Sequence, residues 1–125
     1  MKVEFNTITQ GTYSGYSAAN ELVINSTAEW LDLWQQHSSD NIPPPSAPEV
    51  DFKNYRIIAV FAGEKPTGGY SVEITSVKIV NFQLVITVRY DEPRAEDIVI
   101  QPLTYPHHIV VIPRMNVENA VFKRV

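Results

Sequence analysis

The chain has 125 residues and a mass of 14.1 kDa, carries 14 acidic against 10 basic side chains for a formal charge of -4, and contains no cysteine. That length can bury one real core without a staple. The missing cysteine excludes disulfides, thiolate metal sites, iron–sulfur ligation and a cysteine nucleophile, and the scattered Lys and Arg give no basic footprint for nucleic acid.

In chain order, Lys2–Ile8 ("KVEFNTI") and Glu21–Asn25 ("ELVIN") read as strands. Ser26 and Glu29 have the spacing of a capping box, and Trp30, Leu33, Trp34 and His37 then recur on one face, so a helix is predicted over 27–37 with its tryptophans docked on a sheet. Asn41–Pro48 ("NIPPPSAP") holds three consecutive prolines and reads as an extended connector, with a polyproline ligand for an SH3-like partner as the weaker alternative. Tyr55–Gly63 ("YRIIAVFAG") is apolar on both faces, as a central strand covered on both sides should be. In "YSVEITSVKIV", Val72 and Ile74 share one phase and Val77 and Ile79 the other, so a β-bulge is expected near Thr75 and Ser76. Leu84, Ile86, Val88 and Tyr90 alternate in the next strand, which leaves Asn81 and Phe82 for a tight hairpin turn. Asp91–Asp97 ("DEPRAED") reads as a solvated hairpin tip, and "DIVIQ", "HHIVVI" and "NAVFKRV" as three further strands. About seven or eight short strands and one helix predict a mainly β fold, a compact β-sandwich or partly open barrel with the helix packed on it. The expected organisation is one domain, with N-terminal strands and helix over 1–40, a connector over 41–49 and a β core over 50–125.

No nucleophile elbow is present, and the expectation is that the chain is not an enzyme and needs no cofactor. His107 and His108 are strand neighbours that point to opposite faces, and His37 lies on the helix, so no metal site is expected; the histidines read as hydrogen-bonded groups at a surface or sheet end. A cluster of Asp91, Glu92, His107 and His108 drawn together by the fold is the weak enzymatic alternative. No window approaches the ~18 apolar residues of a membrane helix, and Met1–Gln10 lacks the apolar stretch of an export signal. The sequence names no compartment.

The most particular stretch is Gly63–Tyr70 ("GEKPTGGY"). A strand rather than a helix follows it, so it is no phosphate cradle. Pro66 fixes an entry angle, Gly68 and Gly69 permit left-handed backbone, and Thr67 and Tyr70 are available for contact; Tyr70 reads equally well as a contact residue or as a ring tucked under the loop. Lys65, Pro66, Thr67, Gly68, Gly69 and Tyr70 are the candidate binding residues.

"VFAGEKPTGGYSVEI" (Val60–Ile74), with "VDF" (Val50–Phe52) before it and "LTYPHHIVVIPR" (Leu103–Arg114) after it, resembles the C-terminal domain of the PrcB family, the protease-complex or protease-stability subunit family. "YSGY" (Tyr13–Tyr16) and "AEWLDLW" (Ala28–Trp34) resemble segments that precede that domain. The resemblance implies a non-catalytic subunit that associates with, matures or stabilises a protease, often outside the cytoplasm. Two departures are an absent export signal or lipid-anchor cysteine, and "DEPRAED" where family members often carry a glycine-rich turn. Pro66, Thr67, Gly69 and Tyr70 are also similar to a loop of chagasin-like protease inhibitors, with no counterpart of that family's other inhibitory loops. The expected partner is therefore a protein, with a protease as the leading candidate and inhibition as one version; a structural or small-ligand-binding β domain is the alternative.

Overall fold

The computed structural model describes residues 1–125, along which seven strands and one helix follow in the order β1 (Asn6–Gly11), β2 (Asn20–Ile24), α1 (Thr27–His37), β3 (Tyr55–Phe61), β4 (Ser71–Val80), β5 (Gln83–Asp91), β6 (His107–Pro113) and β7 (Asn119–Arg124). They form two separate sheets, one of order β1-β6-β3-β2 and one of order β4-β5-β7, so the architecture is a β-sandwich and not a closed barrel. The first sheet is antiparallel throughout, while β7 joins β5 in parallel.

The double-sided apolar character of β3 follows from its place. It pairs with β2 on one edge and β6 on the other. Ile58, Val60 and Ala62 point to the second sheet, where Val72, Ile74, Val77, Leu84, Ile86 and Val88 meet them. Ile57, Ala59 and Phe61 point the other way, onto Trp30 and Leu33 of α1. Helix, sheet and sheet are thus stacked in three layers around β3.

α1 begins where the capping box predicts. Ser26 Oγ accepts from Glu29 N at 3.3 Å, and Glu29 Oε1 accepts from Asn25 N at 3.2 Å. The proline connector is strapped over the helix: Trp30 Nε1 donates to Pro48 O at 2.9 Å and Trp34 Nε1 to Pro45 O at 3.0 Å. Prolines lack amide donors but keep their carbonyls, so they can accept here without offering an unpaired N–H.

β4 and β5 pair with a register shift between Ile74 and Ser76, which is the expected bulge, and turn through Asn81 (φ 50°) and Phe82 (φ 62°). One strand expectation fails. Asp97–Gln101 forms no strand, and Asp91–Asp97, though exposed, is not a hairpin tip but the start of a loop that carries the chain from the second sheet to the first. The two strands that the run connects, β5 and β6, each have both edges filled, and the run lies instead against the glycine loop, where Ile100 O accepts from Gly68 N at 2.9 Å. No helix is long and apolar enough to cross a membrane.

Candidate functional site

β1 and β5 end, and β4 and β6 begin, around the exit of β3, so the loops after Gly11, Phe61 and Asp91 meet there. Lys65 and Thr104 exchange both backbone bonds, Lys65 N to Thr104 O at 2.8 Å and Thr104 N to Lys65 O at 3.0 Å. Buried Thr104 Oγ1 donates to Thr67 O at 2.7 Å, and Ala62 N donates to Pro106 O at 2.9 Å. Tyr105 N donates to Thr12 O at 2.7 Å, its hydroxyl to Glu64 Oε1 at 2.8 Å, and Glu64 N to Ser17 O at 3.0 Å. The segments containing "YSGY", "GEKPTGGY" and "LTYP" are therefore one hydrogen-bonded unit.

Two glycines make this packing possible. Gly63 has φ +85°, and a Cβ there would lie 2.9 Å from Ala19 N; Gly69 has φ +88°, and a Cβ there would lie 2.7 Å from Pro93 Cβ. Gly68 is buried and donates its N–H to Ile100 O at 2.9 Å, so the Asp91–Leu103 loop lies against the glycine loop. Of the six candidate residues, Pro66 and Gly69 are exposed, Lys65, Thr67 and Tyr70 are half-buried, and Gly68 is covered. Thr67 Oγ1 donates to Gly68 O at 2.8 Å and thus serves the loop itself. The Lys65 ammonium stands 5.6 Å from the Tyr70 ring centre, which orients both side chains. A small crevice of about 50 Å³ separates Tyr70 from Tyr90, Glu92 and Arg124. The Tyr90 hydroxyl, pushed up to about 12 chiefly by burial and then by Glu21, donates to Glu21 Oε2 at 3.1 Å under the Arg124 guanidinium.

His107 and His108 stand at a sheet end and are hydrogen-bonded, as one form of the expectation had it, but they are not surface groups. His107 and His108 do face opposite ways, but both are buried, and His107 meets His37 edge-on with ring centres 4.5 Å apart. His37 Nδ1 is 2.8 Å from Ser14 Oγ, and His107 Nε2 is 3.3 Å from Thr9 Oγ1. His107 Nδ1 is buried with no hydrogen-bond partner of good geometry. Burial first, and His37 second, lower the His107 pKa to about 4, against a weak pull from the Tyr105 carbonyl; burial also lowers His37. His108 is structural: its Nδ1 accepts from Ile74 N at 2.9 Å, beside the β4 bulge, so its proton sits on Nε2 and is given to Thr7 Oγ1 at 2.8 Å. The His37–His107 meeting is the grouping that sequence reasoning missed. Its signal was there, in the helical phase that His37 shares with Trp30 and Leu33 and the strand phase that His107 shares with Ile109.

Residues 56–113 match the family model described as PrcB C-terminal. That segment is similar to the PrcB C-terminal family. It runs from the second residue of β3 to the last of β6, so the PrcB-like segment includes both loops of the site that follow β3 and β5, while "YSGY", α1 and β7 lie outside it. No curated protein and no solved structure matches the chain, and nothing found supports the likeness to chagasin-like inhibitors.

Proposed function

We propose that the protein is a non-catalytic protein-binding module that associates with a protease and stabilises or regulates it, with Lys65–Tyr70 as part of the contact surface. The observation that carries this reading is the bracing of the loop. Its backbone is tied to Thr104 and Ile100 while Pro66 and Gly69 stay exposed and Lys65 and Tyr70 half-exposed. A loop fixed in advance loses little conformational freedom on docking, and Pro and Tyr add contact area at small entropy cost. The PrcB-like segment supplies the protease as the partner class, by family name.

The alternative, a structural or small-ligand domain in which the motif is a fold signature, draws on the burial of Gly68 and Thr104. Tyr70→Ala separates the two. Affinity capture with wild type and variant, each checked by thermal unfolding, is expected to recover a protease or its precursor with wild type alone while the variant stays folded. Equal recovery by both removes the loop from the site. In the inhibitory version, the wild-type protein also slows the captured protease.

A further inference from the structure

A second concavity adjoins the loop unit and is absorbed neither by the Lys65–Tyr70 surface nor by the sandwich core. Tyr13, Ser14, His37, Asp40, Asn41 and Tyr105 enclose about 310 Å³, near the small end of ligand cavities and suited to one side-chain-sized group. We propose that this cavity binds a single organic cation, an arginine or lysine side chain presented by a protein partner; that carrier rests on the protein-binding reading above, whereas the site itself does not.

The chemistry of the walls selects the charge. Asp40 lines the cavity, and Glu64 is held at its margin by the 2.8 Å hydrogen bond from the Tyr105 hydroxyl. The Glu64 hydrogen bond first, then burial and the charges of Glu64 and Asp40, raise the pKa of that hydroxyl, so both carboxylates stand on the cavity side of the ring. No lysine or arginine lines the space, and Lys65, the cation of the neighbouring loop, is directed over Tyr70 instead. The one basic ring, His37, has Nδ1 engaged by Ser14 and its pKa lowered by burial, so it is neutral near pH 7 and opposes no incoming cation. Tyr13 is 63% exposed, an aromatic ring left open to solvent beside a carboxylate. Aromatic faces attract ammonium and guanidinium groups, and carboxylate and amide oxygens accept their N–H bonds. An anionic ligand meets two carboxylates and no cation, and an apolar one would strip water from Asp40 and Asn41 without replacing its hydrogen bonds.

The test uses the whole protein and two isosteric probes, the blocked amide of arginine and that of citrulline, followed by backbone amide NMR. Expected are saturable shifts centred on Tyr13, Asp40, Asn41 and Tyr105 with the arginine probe, weakened by salt, and affinity about tenfold lower for citrulline. Asp40→Asn and Tyr13→Ala, both at exposed positions, are expected to weaken the arginine probe by roughly tenfold and threefold. Equal binding of citrulline, shifts confined elsewhere, or an unaltered affinity in Asp40→Asn overturns the site. Gly-Gly-Arg-Gly-Gly binding more tightly than methylguanidine supports a side chain carried by a partner; the reverse order overturns that carrier in favour of a free small cation. Probe binding with no protease captured in the affinity experiment leaves this site standing and removes the protease reading, and captured protease with no probe binding does the opposite.

Discussion

Gly69 illustrates how much of the site depends on one missing methyl group. Its φ of +88° disfavours any L side chain, and the added Cβ would press to 2.7 Å of Pro93, a ring that cannot swing away. Gly68 differs: its Cβ would meet the Ile100 side chain at 2.4 Å, but its φ is not left-handed and Ile100 is half-exposed and can rotate. Gly69→Ala is therefore expected to cost about 2 kcal/mol and Gly68→Ala less, as read by urea unfolding. The reverse order would show that the Asp91–Leu103 loop yields more readily than the geometry implies. His107 supplies the pH response. Its pKa is about 4 in the folded protein against an ordinary 6.5, so between those values the unfolded chain binds the extra proton. Stability is then complete above pH 6.5 and lost progressively as pH falls toward 4, by on the order of 3 kcal/mol for this group, with His37 and His108, also lowered, acting in the same direction. Unfolding midpoints measured from pH 7 to pH 4 should fall, and should fall less steeply in His107→Asn. An equally steep decline in that variant would remove His107 as the source.

At the scale of elements, the β4–β5 hairpin is held by a turn with the right shape and an unusual residue. Both Asn81 and Phe82 have positive φ, as a two-residue hairpin turn demands, yet Phe82 is 89% exposed and gains almost no burial for its strain. Phe82→Gly is expected to stabilise the protein by about 1 kcal/mol, seen as a raised melting temperature with partner binding unchanged. A lowered melting temperature would mean that the exposed ring packs in some way the geometry does not require. The turn, the bulge at Thr75 and the helix with its Ser26–Glu29 cap were legible because their causes are local: a phase change in an alternating run, two leftover residues, a capping pair before an apolar stripe. Asp97–Gln101 was misread for the opposite reason. Its alternation is real, but whether a run pairs depends on where the sheet order carries the connecting chain, which no local pattern encodes. The site shows the same division. Gly63–Tyr70 stands out by composition, whereas the tie of Lys65 to Thr104 and the meeting of His37 with His107 join residues far apart in the chain.

Over the whole molecule, β3 connects two ends that do different work. Gly63 and the loop unit lie past its exit, and Arg56, 5% exposed, lies at its entry, on the order of 20 Å away at the rise of an extended strand. At the entry, Arg56 Nε donates to Asn25 Oδ1 at 2.6 Å and Nη1 to Val117 O at 2.8 Å, while Arg114 reaches Phe52 O and Asn25 O at 2.8 and 2.7 Å. These bonds fasten the residue ahead of the α1 cap, the turn before β3 and the segment before β7. Burial, with Arg114 adding to it, lowers the Arg56 pKa, but a guanidinium remains charged at any ordinary pH. Arg56→Leu fills much of the space yet leaves the Asn25 side chain and the Val117 carbonyl without their donor, an expected loss of about 3 kcal/mol. Because the exit loops are tied to one another and not to this network, the same variant should hold its partner with unchanged affinity in conditions where it stays folded. Tyr70→Ala should do the converse, losing the partner while costing only about 1 kcal/mol for a half-buried ring. Urea unfolding and affinity measured on both variants decide the matter. If Arg56→Leu weakened binding as much as Tyr70→Ala does, the two ends would be coupled through β3, and the loop could not be treated as a separately braced contact surface.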